Sequence, residues 1–223
     1  MAEDQRIQAV AFDLDGLMIN TEDVFHMTGT ELLRRRGKIA TPELFHAMMG
    51  RRAHEAFQVM IDLMSLTESV PELAEESEAI FDDFLETHLA PMPGLFEVLD
   101  VIEKRGIPKA VATSSNRPYL NRMLERIELM DRFDVLLSGD DVTHGKPHPE
   151  IYLTAAERLG VAPESMLVME DSENGTRAGV AAGAFVISIP HHHSRHHNFE
   201  GARAIATALN DPVILNLFSD ARH

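Results

Sequence analysis

Residues 10–21 read V-A-F-D-L-D-G-L-M-I-N-T. The apolar run 7–12 has the length of a short buried strand, and it stops abruptly at two aspartates, Asp13 and Asp15, before Gly16 breaks the pattern. Two carboxylates one residue apart at a strand end are costly: about 4 Å apart, they repel by roughly 4 kcal/mol at an effective dielectric of about 20. A cation offsets that repulsion, and an oxygen-only donor set favours Mg²⁺. The stretch therefore points to a metal-dependent site on a parallel sheet, where the loops at the carboxyl ends of strands carry the chemistry.

Strand patterns recur at residues 109–112, 135–137, 166–169 and 185–189, with helical patterns at 94–105, 118–127, 150–159 and 175–182 between them. This alternation predicts an α/β fold, a doubly wound, Rossmann-like parallel sheet. The gap of about 95 residues between the first two strands is far longer than one crossover helix needs. Its patterns are helical only, at 22–36, 41–48, 52–63 and 71–89, the last with Leu73, Ile80, Phe84 and Leu85 at helical spacing. The expectation is an all-helical cap over 21–91, inserted into a catalytic core of 1–20 and 92–223, with hinges near 20–21 and 92–94.

The 223 residues include 44% apolar residues, enough for a sizeable core, and no apolar run approaches the ~18 residues that span a bilayer. Residues 1–8 are polar and acidic, unlike a secretory signal, and there is no cysteine for disulfides, thiolate metal sites or thiol nucleophiles. The expected setting is cytoplasmic, without a membrane partner. With 20 basic and 36 acidic residues the net charge is −16, which argues against a nucleic-acid partner but leaves room for an anionic substrate at a locally basic site. Six Glu and two Asp fall within 68–86, a run that reads as a solvated helix face.

Four strand ends carry candidate chemistry. Asp13 suits a carboxylate nucleophile and Asp15 a proton donor and acceptor; the simpler alternative is a strand-ending turn with a capping Asp. A-T-S-S-N, residues 112–116, offers hydroxyls and backbone N–H groups to an anion, or merely caps the helix that Pro118 opens. In G-K-P-H-P, residues 145–149, Lys146 is pinned between Gly and Pro and could neutralise a phosphoryl group, or lie on the surface. Glu170 and Asp171 repeat the acidic device, as metal ligands or as a cap. In a parallel sheet these four ends share one edge, so one site explains them better than four coincidences.

In these motifs, D-L-D-G-L, A-T-S-S, H-G-K-P-H-P and M-E-D-S-E-N-G, the chain resembles the haloacid dehalogenase-like phosphohydrolase superfamily, in the branch with a helical cap after the first strand. The resemblance extends to about residue 190. It implies that Asp13 forms an aspartyl-phosphate and that Asp15 protonates the leaving group, then activates water. It further implies that Thr113 and Ser114 bind the phosphoryl group with help from Asn116, and that Lys146 bridges that group and Asp13. Mg²⁺ would lie on Asp13, the Asp15 backbone carbonyl and Asp171, with Glu170 in support. The implied activity is hydrolysis of a small phosphorylated metabolite, by a monomer or weak dimer. Haloacid dehalogenases themselves lack the second Asp, so Asp15 points to phosphate chemistry.

β-Phosphoglucomutases share all four motifs. Their cap, however, has an Arg three residues after a Gly, whereas Gly50 here is followed by Arg51, Arg52 and then Ala53, and their hinge His falls on Phe25, beside His26. Asn20 replaces the Asp usual in the D-T-E segment. Residues 49–64 and 72–77 resemble the caps of pseudouridine-5′-phosphatase-like members. The family's cap closes over the site, which would bring Gly50, Arg51 and Arg52 to the substrate. A non-catalytic binding protein of the same fold is a third reading, at odds with the complete set of core motifs. His191, His192, His193, His196 and His197 form a separate tract that reads either as a transition-metal site or as a solvated loop. Met48, Met49, Met60 and Met64 fit cap packing.

Overall fold

Ala9–Phe12 forms β1, and all four of its residues are fully buried, as expected of a strand covered on both faces. The computed structural model describes residues 7–48 and 53–219. Five further strands, β2 (Lys109–Ala112), β3 (Val135–Leu137), β4 (Met166–Glu170), β5 (Phe185–Ser188) and β6 (Ala204–Ile205), complete one sheet in the order β3-β2-β1-β4-β5-β6. Every pairing is parallel. The chain winds outward from β1 through β2 to β3, then returns to β4 on the other side of β1. The loops after β1 and β4 therefore leave from the switch point, where open α/β sheets hold their ligands. Phe12 lies level with Val111 and Met169, so three strands deliver their next residues to one edge.

The chain divides into two compact units, Met1–Ile19 with Ala90–His223, and Asn20–Leu89. The second unit contains α1 (Thr21–Arg34), α2 (Pro42–Met48), α3 (Ala53–Met64) and α4 (Val70–His88), around a core of its own built on Leu32, Leu33, Leu44, Met60, Leu73 and Ile80. Glu72 accepts the Ser69 N–H at 2.8 Å and its hydroxyl at 2.7 Å, a capping box that starts α4. The acidic run is only partly a solvated face, because Arg36 binds both Glu68 and Glu76. Phe81 is buried on the inner stripe of α4, while Phe84 packs at its margin. Gly50, Arg51 and Arg52, expected at the substrate, lie outside the described residues.

In the first unit the helices are α5 (Leu95–Lys104), α6 (Arg117–Arg126), α7 (Glu150–Leu159), α8 (Glu173–Ala181) and the short α9 (Pro212–Leu215). Ala9, Ala11, Ala110 and Ala112 make a shallow sheet surface on which Ile151, Tyr152, Ala155 and Ala156 of α7 pack closely. The sixth strand is a correction to the five expected. Two residues cannot show an alternating pattern, and β6 exists because the edge of β5 offers partners: Ala206 N donates to Ser188 O at 2.8 Å, and Arg203 N to Val186 O at 2.8 Å. Among the described residues no helix is long and apolar enough to cross a membrane.

Lys109 opens β2 as a buried ammonium, 3.1 Å from Glu103. Glu103 also accepts two bonds from Arg132, at 2.8 and 2.7 Å. Arg132, and then Lys109, hold the Glu103 carboxyl down at about 2 against the opposing effect of burial. Its folded value is below its unfolded one, so its stabilisation is full above about pH 4.5 and is lost as pH falls towards 2. Glu103 is partly solvated, which limits the effect to about 1 kcal/mol or less. Melting curves between pH 5 and 2 should fall less steeply for Glu103→Gln than for the wild type.

Candidate active site

Lys146 lies in the loop before α7, and its ammonium reaches into the sheet edge. It donates to Asp13 Oδ1 at 2.6 Å, to Glu170 Oε1 at 2.6 Å and to Ala112 O at 2.9 Å, with a side chain only 5% exposed. Burial works against its charge, but Asp13 and Glu170 outweigh that and raise its pKa well above the usual lysine range. Its loop is braced by Glu150, which accepts the backbone N–H groups of Thr143 at 2.7 Å and His144 at 3.0 Å. His144, His148 and Glu150 also bring their donor atoms within 4.8 Å of one another on the outer side of that loop.

Asp13 is buried, and its own N–H donates to Met169 O at 3.1 Å. Burial pushes its carboxyl well above the usual range; Lys146 opposes the shift, while Glu170, Asp171 and Asp15 add to it. Asp13, Glu170 and Asp171 bring ligand atoms within 4.8 Å of one another, all three buried. Three carboxylates against one ammonium leave two negative charges when all are ionised, which a single divalent cation would balance. This all-oxygen set fits Mg²⁺.

Glu170 is fully buried and heavily bonded. Besides Lys146, it accepts Tyr152 OH at 2.6 Å, Ser172 Oγ at 3.0 Å and the N–H groups of Asp171 and Ser172 at 3.2 and 3.3 Å. Ser172 is also the N-cap of α8, accepting Gly175 N at 3.1 Å. A Cβ on Gly175 would fall 1.7 Å from Glu170 Oε1, so the carboxylate occupies the space a side chain would need. Tyr152 places its ring 4.9 Å from the Lys146 ammonium, and burial followed by Glu170 keeps its phenol protonated, hence a donor.

Asp15 is held by three hydroxyls: Tyr119 OH at 2.8 Å on Oδ1, with Ser115 Oγ at 2.9 Å and Thr113 Oγ1 at 3.2 Å on Oδ2. Thr113 is buried, its N–H tied to Leu137 O at 3.0 Å, while Ser114 faces solvent. Asn116 caps α6, its Oδ1 accepting Tyr119 N at 2.9 Å. Asp171 meets the imidazole of His191 at 2.9 Å.

The sequence motifs assign no individual role to Tyr152, Ser115, Tyr119 or Gly175, and His191 stands out only as one member of the histidine tract. Ser115 and Tyr119 lie inside or just after a motif already singled out, and a search for further hydroxyls near 112–116 would have raised them. Nothing local ties Tyr152 to Glu170; only the packing of α7 on the sheet does.

The family model described as haloacid dehalogenase-like hydrolase matches residues 10–189. The chain belongs to the haloacid dehalogenase-like hydrolase family. Several curated relatives are named as phosphatases. One is the phosphorylated carbohydrates phosphatase of Thermotoga maritima, 33% identical over 79% of this chain and 82% of that protein. Another, from Drosophila melanogaster, is provisionally named a pseudouridine-5′-phosphatase and is 30% identical over 83% of each chain. A solved structure from Thermotoga maritima, provisionally named a beta-phosphoglucomutase, superposes with a TM-score of 0.82 at 29% identity, covering 96% of this chain and all of that one. The parallel sheet and its motif-bearing edge are thus those of a haloacid dehalogenase-like hydrolase.

Proposed function

We propose that this hydrolase is a Mg²⁺-dependent phosphomonoesterase for a small phosphorylated metabolite, working through an aspartyl-phosphate on Asp13. The observation that carries this reading is the buried clasp of Lys146 on Asp13 and Glu170, beside an Asp15 held by three hydroxyls. With Oδ1 of Asp13 on the ammonium, its other oxygen attacks phosphorus and the leaving oxygen takes a proton from Asp15. Asp15 then takes a proton from the water that cleaves the acyl phosphate, regenerating Asp13. Lys146 and the 113–116 turn balance charge on the transferring group. Asp13, the Asp15 carbonyl and Asp171 would hold Mg²⁺, with Glu170 in support. When bound, the ion neutralises the phosphoryl oxygens.

The relatives' names favour a sugar phosphate or a nucleotide such as pseudouridine 5′-phosphate. We place the enzyme in the cytoplasm as a monomer or weak dimer. Phosphate release from a panel of sugar phosphates and nucleotides tests the reading. Release should require Mg²⁺, stop on chelation and return when Mg²⁺ is restored; release undiminished in chelator would refute it. A mutase is the second reading, favoured by the structural neighbour's name. Incubation with β-glucose 1-phosphate and a bisphosphate activator separates the two, because only a mutase forms glucose 6-phosphate.

A further inference from the structure

We propose that His191 is the positioning residue of the Asp171 carboxylate and so sets how tightly the divalent cation is held; this rests on the Mg²⁺ reading above. Its side chain is 8% exposed and that of Asp171 is 7% exposed, with Nε2 2.9 Å from Oδ2. The other ring nitrogen, Nδ1, accepts the backbone N–H of His193 at 3.2 Å. A nitrogen that accepts keeps its lone pair, so the ring proton lies on Nε2 and is donated to Asp171.

The ring is held in place from two sides. Ser194, itself buried, accepts His191 N at 3.2 Å through its hydroxyl and donates its own N–H to His191 O at 3.0 Å. Just upstream, Ile189 N donates to Glu170 O at 2.6 Å, hanging this turn on the strand end that carries Glu170 and Asp171. On the other side the backbone at Gly16 presses against the bond. A Cβ there would lie 2.7 Å from Asp171 Oδ2 and 2.8 Å from His191 Nε2. The ends of β1, β4 and β5 thus converge on one hydrogen bond. It fixes one Asp171 oxygen and orients the other for a ligand. His192 and His196, by contrast, are exposed. Within the histidine tract, the bond to Asp171 assigns this task to the first member, His191.

Hydrogen-bonded support of a metal ligand typically changes affinity by about 10–100-fold. The test titrates Mg²⁺ by calorimetry, and Mn²⁺ by electron paramagnetic resonance, into the metal-stripped full chain without substrate. His191→Phe, which keeps the volume and removes the donor, should bind both ions at least about tenfold more weakly. His191→Gln, whose amide can donate, should recover most of the loss, and His196→Ala should match the wild type. Where the phenyl ring disturbs the turn, His191→Met, matched to glutamine in length but lacking an N–H, gives the same comparison. Thermal melting of the metal-free variants separates lost packing from lost affinity. Equal binding by folded His191→Phe or His191→Met and the wild type overturns this inference and leaves the phosphatase reading standing. A wild type that binds neither ion overturns both.

Discussion

Asp13→Asn should bring phosphate release to background, a fall of about 10⁴-fold or more in kcat, as expected for removal of a nucleophile. The amide is isosteric, and its oxygen can still accept from Lys146, so the clasp on Glu170 survives while the attacking oxygen is lost. Turnover by the variant at the wild-type rate would remove Asp13 from the mechanism. The same variant has a thermodynamic signature. Burial, joined by Glu170, Asp171 and Asp15, raises the Asp13 carboxyl above its unfolded value despite Lys146. An acid shifted upward weakens folding as pH rises above its unfolded pKa of about 3.9. In chelator, Asp13→Asn should therefore melt no lower than wild type at pH 7, and the difference should shrink towards pH 4. Added Mg²⁺ should raise the melting temperature of the wild type much more than that of the variant.

Gly175→Ala should also be damaging, although Gly175 carries no functional group. Its added methyl would lie 1.7 Å from Glu170 Oε1 and 1.9 Å from Cδ, far inside contact distance, so either α8 or the carboxylate must move. Glu170 cannot move alone, because Lys146, Tyr152 and Ser172 are all bonded to it. Overpacking of this kind costs about 1–3 kcal/mol, and displacement of the Lys146 anchor should lower kcat by about 10²-fold or more. Gly145→Ala, one residue from Lys146, meets open space within 4 Å and should change stability little. Comparable kcat for the two alanine variants would show that the Glu170 anchor is dispensable.

The parallel core was readable because each central strand is a short apolar run that ends in a residue unlike it. Val10, Ala11 and Phe12 stop at Asp13, and Leu167, Val168 and Met169 stop at Glu170. Ala204–Ile205 offered no such contrast, and its strand depends wholly on the edge of β5. At the site, residues that follow strands in sequence were visible as motifs. Those that arrive from helices and later loops were not: Tyr152 comes with α7, Tyr119 with α6, and His191 with a tract whose composition alone suggested solvent or metal. Asn116 shows the reverse limit. An Asn before Pro118 suits both an anion site and a helix cap, and the structure displays the cap.

The strand order bears on how the protein is made. β1 is the earliest strand to be synthesised, yet it pairs with β2, which ends at Ala112, and β4, which ends at Glu170. At roughly 5–20 residues per second, a ribosome needs about 10–30 s to deliver both neighbours. Throughout that interval an unsheltered A-V-A-F segment waits, while the helical insert, whose core is local, can already condense. Expression yield should therefore depend on translation speed and chaperone supply more than the finished protein's stability would suggest.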